Sequence, residues 1–177
     1  MKKRYVVFDA SSILCWLHRE EGYEKVKAKL YDEDLERCIY AVNLAELSYR
    51  LLQERGDYQK VQNVIDALKK MGVQFDFTMN WEIVRLASVY REKIKSAQLP
   101  ISLGDCFGMA ATQLKKADGN PVFLTTDANE FGKAEQAGLL PVKVDIISQP
   151  SKRKKPAPAQ KNSLKKSSQT IAQDKKR

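Results

Sequence analysis

The sequence predicts a three-layer α/β domain with a mostly parallel central sheet and helices on both faces, and three observations carry that expectation. Short apolar runs alternate with amphipathic helical stretches throughout the first 150 residues, the pattern of repeated βα units. Residues 5–8 and 122–125 are short runs of strand length, apolar but for the closing Thr125, as buried strands are. Residues 106–111 are apolar nearly all round, which suits a helix packed in the middle of a fold.

The elements follow in order. Residues 5–8 form the first strand, which ends on Asp9. Ser11 or Ser12 caps a short helix to His18, and Gly22 begins a second amphipathic helix to about Asp32. Residues 37–42 read as the second strand, ending at Asn43. That residue is a good N-cap for a helix in which Leu44, Leu47 and Leu51 recur at helical spacing until Gly56. Val61, Val64, Ile65 and Leu68 mark the next helix, which Gly72 closes, and residues 73–77 form a third, alternating strand. Asn80 opens a long helix with Ile83, Ala87, Tyr90 and Ile94 on one face, and Pro100 prevents its continuation. Beyond the apolar helix that starts near Ser102, Gly119, Asn120 and Pro121 read as a turn. Residues 122–125 are the fourth strand, leading to Thr126 and Asp127; residues 130–137 are a short helix and residues 142–147 the last strand. Trp81, Tyr90 and Phe107 stand among apolar neighbours at helical spacing and are expected in the core.

The net charge of +9 is localised: residues 1–150 carry 21 Lys and Arg against 21 Asp and Glu, whereas residues 151–177 carry 10 against 1. Composition thus divides the chain into a domain over residues 1–149 and a basic tail over residues 150–177. The tail holds too little apolar surface to offset the entropy of ordering and is expected to be disordered. Lys152, Arg153, Lys154, Lys155, Lys165 and Lys166 suit sequence-independent contact with nucleic-acid phosphates, and equally a solubilising extension.

Cys15, Cys38 and Cys106 are an odd number at wide spacing with no C-x-x-C pair. They argue against a disulfide framework and a zinc site and suit a reducing cytosol, so a cytoplasmic location is expected. Asp9 interrupts the only stretch resembling a signal peptide, and no run approaches the roughly 18 apolar residues of a membrane span. His18, the one histidine, reads as a half-exposed surface residue, which leaves little room for histidine-based catalysis.

Carboxylates offer more. In an open α/β sheet the binding crevice lies beyond the carboxyl ends of the strands. Asp9 and Asp127 each follow a strand, and Glu46 and Asp105 stand three residues after Asn43 and Ser102, near the starts of helices at that edge. Two readings compete. Asn43 to Glu46 and Ser102 to Asp105 resemble capping boxes, and Asp127 has Glu130 three residues on. Asp9 has Ser12 in that place, so capping explains it least. Alternatively, four acids with few basic neighbours in sequence would repel one another unless a cation sat among them, and hard oxygen donors suit magnesium or manganese.

The segments Val7-Phe8-Asp9-Ala10-Ser11, Asn43-Leu44-Ala45-Glu46, Ile101-Ser102-Leu103-Gly104-Asp105-Cys106 and Leu124-Thr125-Thr126-Asp127-Ala128-Asn129-Glu130-Phe131 resemble, in order and spacing, the PIN domain of VapC-type toxin ribonucleases. The resemblance spans about residues 4–147. It implies a PIN-like (Rossmann-like) three-layer sandwich in which Asp9, Glu46, Asp105 and Asp127 hold Mg2+ or Mn2+, with Ser11 near the metal. Asn43, Thr126, Asn129 and Glu130 stand where supporting residues would. It further implies endonucleolytic cleavage of single-stranded or loop RNA, a VapB-type antitoxin and a homodimer. A different class remains open, a catalytically idle PIN-like module that binds RNA or a partner while its acids cap helices. A phosphatase of similar shape is less well matched, because Ser11 stands where a second acid would follow Asp9.

Overall fold

The computed structural model describes residues 3–147, apart from the Arg55 side chain. Among these residues five strands form one sheet: β1 (Lys3–Phe8), β2 (Leu35–Tyr40), β3 (Gln74–Asp76), β4 (Gly119–Thr125) and β5 (Val144–Ile146), in the order β3-β2-β1-β4-β5. All four ladders are parallel, so the expected α/β sandwich is present and its sheet has no antiparallel member. Helices α1 (Ala10–His18), α2 (Tyr23–Leu30), α3 (Ala41–Arg55), α4 (Tyr58–Lys70), α5 (Trp81–Ser96), α6 (Leu103–Leu114) and α7 (Ala128–Gln136) connect the strands, with a 3-10 turn over Lys115–Ala117.

Side-chain alternation explains the two cores. Val6 and Phe8 of β1, Ile39 of β2 and Leu124 of β4 point to one face, where they pack with Ile13, Val26, Leu47, Leu51 and Leu68 from α1 to α4. Their neighbours Val7, Cys38, Tyr40 and Phe123 point to the other, against Ile83, Ala87, Tyr90 and Ile94 of α5, Met109 and Ala110 of α6, and Phe131 of α7. Strands with helices on both sides must be apolar on consecutive positions, which is why the runs in β1 and β4 are uninterrupted. The all-apolar segment is indeed the central helix α6, buried from Asp105 through Thr112 with Phe107 alone partly exposed.

Four local expectations are corrected. β2 ends at Tyr40 and α3 begins at Ala41, with Tyr40 in the N-cap position and no side-chain cap; Asn43 lies inside the helix, not at its cap. Gly119, Asn120 and Pro121 belong to β4 rather than to a turn. Pro121 is tolerated there because its missing N–H would face the β5 side, where pairing starts only at Phe123. β3 is three residues long, shorter than the five expected. Trp81 is 75% exposed and outside the core. It stands two residues before Ile83, about 200° around the helix from the buried stripe. Tyr90 is buried as expected, and Phe107 is half-buried, stacked on Tyr40. The three cysteines are free and buried, and half-exposed His18 pairs with Glu54 at 2.9 Å.

The chain leaves β1 towards β2 on one side and reaches β4 on the other, so the direction of strand addition reverses between β1 and β4. Their carboxyl ends flank the crevice that this topology leaves open.

Candidate active site

Asp9 sits at that crevice, only 4% exposed, and the structure gives it a role that its sequence spacing conceals. It is the N-cap of α1: its carboxylate accepts from the backbone N–H of Ala10 (2.7 Å) and of Ser11 (3.3 Å). Three side chains from three elements complete its shell. The Ser11 hydroxyl donates at 2.5 Å, the Thr125 hydroxyl at 3.2 Å and the Asn43 amide at 3.0 Å. Asp9 is therefore well explained by capping, contrary to the expectation that it would be the exception. A buried carboxylate with five donors is held in one orientation.

Asn43 owes this position to the early start of α3, which places it in the first turn, fully buried and facing Asp9. Its Oδ1 has no hydrogen-bond partner among the described residues. It lies where α6 passes closely: a Cβ on Gly108 would come within 2.8 Å of that oxygen and 2.5 Å of the Phe123 ring. Thr125 was not singled out from the sequence. Its hydroxyl, fully buried at the end of β4, donates to Asp9 and accepts from the Asp127 N–H at 3.1 Å. Ser11 accepts from the Thr126 N–H at 3.2 Å, so hydroxyl groups tie the ends of β1 and β4 together. The available signal was a hydroxyl residue ending a buried strand two residues before an acid.

Asp105 forms the expected capping box with Ser102. Its Oδ2 accepts from the Ser102 N–H (2.9 Å) and hydroxyl (2.6 Å), and the Ser102 hydroxyl accepts from the Asp105 N–H (3.1 Å). Those bonds favour the anion, yet its pKa is pushed up to about 7. Burial is the larger cause and the charge of Asp9 the next; Glu46 adds to it. Glu46 lies beyond the first turn of α3, too late to cap it, and its Oε2 stands 3.6 Å from where a Gly104 Cβ would be, beside the start of α6. It has a basic partner one turn on, Arg50 at 3.1 Å, on an exposed rim where such a pair contributes little.

Asp127 occupies the N-cap position of α7 without a side-chain cap bond, one hydroxyl from Asp9 through Thr125. Glu130 lies in the first turn of α7, and Asn129 is exposed beside it. The basic cluster from Lys152 to Lys155, with Lys165 and Lys166, lies outside the described residues.

Acids from the ends of β1 and β4, the second turn of α3 and the first turn of α6 thus share one edge of the sheet, and Asp105 feels the charges of Asp9 and Glu46. Among the described residues no three His, Cys, Asp or Glu close into a ready-made metal cage. An all-oxygen set of this openness nonetheless fits magnesium or manganese. Those ions use one or two carboxylates, keep several waters and bind substrate phosphate rather than filling a closed protein cage.

This sheet order, with the crevice at its switch point and acids along it, makes the chain a Rossmann-like, all-parallel α/β sandwich. The chain resembles structures of VapBC-1 from nontypeable Haemophilus influenzae (TM-score 0.58, 15% identity, 80% of this chain and 97% of that chain) and VapBC2 from Rickettsia felis bound to a promoter DNA fragment (0.59, 14%, 80% and 98%). DNA-bound VapBC from Salmonella typhimurium is similar at TM-score 0.55 and 16% identity, covering 82% of this chain and 98% of that one. At these identities the likeness is one of fold. No protein-family model and no curated protein matches the sequence.

Proposed function

We propose that the protein is a metal-dependent endoribonuclease that hydrolyses phosphodiester bonds in single-stranded or loop RNA, acting as the toxin of a toxin-antitoxin pair. The observation that carries this reading is Asp105, a carboxyl buried at the crevice whose pKa is pushed up by burial and by the charges of Asp9 and Glu46. Such frustration is what a divalent cation relieves.

Asp9, Glu46, Asp105 and Asp127 would hold Mg2+ or Mn2+, which when bound would polarise the phosphate and lower the pKa of an attacking water. Asp9 is held in one orientation by Asn43, Ser11 and Thr125, and an ion at its carboxylate would take the place of one of its five donors. The Ser102 hydroxyl and N–H orient Asp105 in the same way. Glu46, on the exposed rim with Arg50, would take a proton from water in this reading. Thr126, Asn129 and Glu130 line the β4 side and would orient the strand. The toxin reading, with a VapB-type antitoxin as partner and a homodimer as the working form, is supported by the shared fold with chains of VapBC complexes.

A second reading has its own observation. Asp9 caps α1 and Asp105 completes a capping box, so an idle RNA- or partner-binding module would need the same residues for folding alone. Thermal melting with and without magnesium or manganese, beside cleavage of a labelled single-stranded RNA, separates the two. The nuclease reading expects both ions to raise the melting temperature by preferential binding to the folded form, and cleavage to stop in EDTA. Absence of both effects leaves the idle module.

A further inference from the structure

The half of the sheet away from the acids carries a feature that the proposed reaction does not use. A groove of about 1100 Å³ runs along the amino-terminal halves of β1 and β4, walled by α2 on one side and β5 on the other, with Val6 and Val122 in its lining. Five cations line it: Arg4, Lys25, Lys29, Lys116 and Lys143. Two are matched, Arg4 by Asp32 at 3.1 Å and Lys29 by Asp145 at 3.0 Å. Lys25, Lys116 and Lys143 are exposed and make no ion pair with any described residue; Lys116 only donates to the Pro141 carbonyl at 3.2 Å. Ile147, where the described chain ends, is part of the same lining. The residues that follow carry the whole positive excess of the chain, 10 basic against 1 acidic over residues 151–177.

We propose that this groove is a second RNA-binding site, which takes the phosphates of a strand extending beyond the cleavage site. It rests on the reading of the protein as a ribonuclease. Without metal the acids that would cut a phosphodiester repel it, and residues 1–150 carry no net charge, so a separate basic surface adds attraction for the strand. The groove supplies three lysines that make no ion pair with any described residue. The sequence after Ile147 is itself basic, so like charge disfavours it as the occupant of the groove. A polyanion is the occupant that this charge selects.

The test uses the full-length protein and a labelled 20-nucleotide single-stranded RNA in EDTA, with binding read by fluorescence anisotropy over a salt series. Lys25→Gln, Lys116→Gln and Lys143→Gln are combined in one variant. If the groove binds phosphates, the slope of log affinity against log salt becomes shallower by about 2, three contacts at about 0.7 each. Arginine at the same three positions restores it. An unchanged slope and affinity in the glutamine variant overturns the proposal. So does failure of the arginine variant to recover, which would mark a structural role. Displacement of the RNA by polyglutamate at equal charge concentration would make the groove a site for acidic protein and equally overturn it. Because cleavage plays no part in this readout, an inactive acid cluster would leave the result unchanged, and an idle groove would leave cleavage intact.

Discussion

Replacing Asp105 by asparagine removes one charge from the crevice while keeping a carbonyl oxygen for the Ser102 donors. The Asp105 carboxyl titrates at about 7 in the folded protein, against an ordinary value of 3.8. Between those values the unfolded chain has released a proton that the folded chain still holds. The stabilising contribution of the neutral acid is therefore complete below about pH 4 and is lost as pH rises through 7. The interval corresponds to on the order of 4 kcal/mol. Asparagine escapes that loss, so the variant should be more stable than wild type by on the order of 4 kcal/mol at pH 8 in EDTA, and nearly equal at pH 4. Urea denaturation at the two pH values measures this. Magnesium should narrow the difference at pH 8, because it stabilises the wild type by binding its carboxylate. Parallel pH dependences for the two proteins would refute the raised pKa that burial and the Asp9 charge impose on Asp105.

Two further substitutions probe the network behind the acids. Asp9→Asn turns one acceptor among five donors into a donor, so it should destabilise the metal-free protein by about 1–3 kcal/mol, the opposite sign to Asp105→Asn, and abolish cleavage; the same denaturation series reads it. Gly108→Ala drives a methyl into the Phe123 ring and the Asn43 carbonyl, and should cost about 1–3 kcal/mol, with loss of activity where Asn43 is pushed off Asp9. Melting temperature and RNA cleavage measured on one preparation separate those two effects.

Much of the architecture was legible in the amino-acid order because it follows from local periodicity. Apolar runs of strand length alternate with helical stripes, and Ile83, Ala87, Tyr90 and Ile94 fall on one face however the chain is folded around them. The four acids could be placed at the carboxyl edge for the same reason: each lies at or just beyond the boundary between two periodic segments. Their relationships could not be read. Asn43 is an equally good N-cap or buried amide in sequence, and only the packing of α3 against α1 and α6 selects the second. Asp9 looked unlike a cap because Ser12 lies three residues on. It caps through the nearer amides of Ala10 and Ser11 instead. Thr125 earned no notice because a hydroxyl ending a strand is ordinary until the β1–β4 pairing brings it to Asp9, 116 residues away in sequence.

The order of residues by itself thus determined which segments are strands, which helix is central, where the positive charge resides and which acids reach the sheet edge. These depend on spacing and composition, which are local. The tertiary structure decided which acids are already satisfied, which one is driven toward neutrality, and that the sheet surface between α2 and β5 is left open and lined with lysines. Those are properties of distances between groups remote in sequence, and burial and Coulomb energies depend on such distances alone.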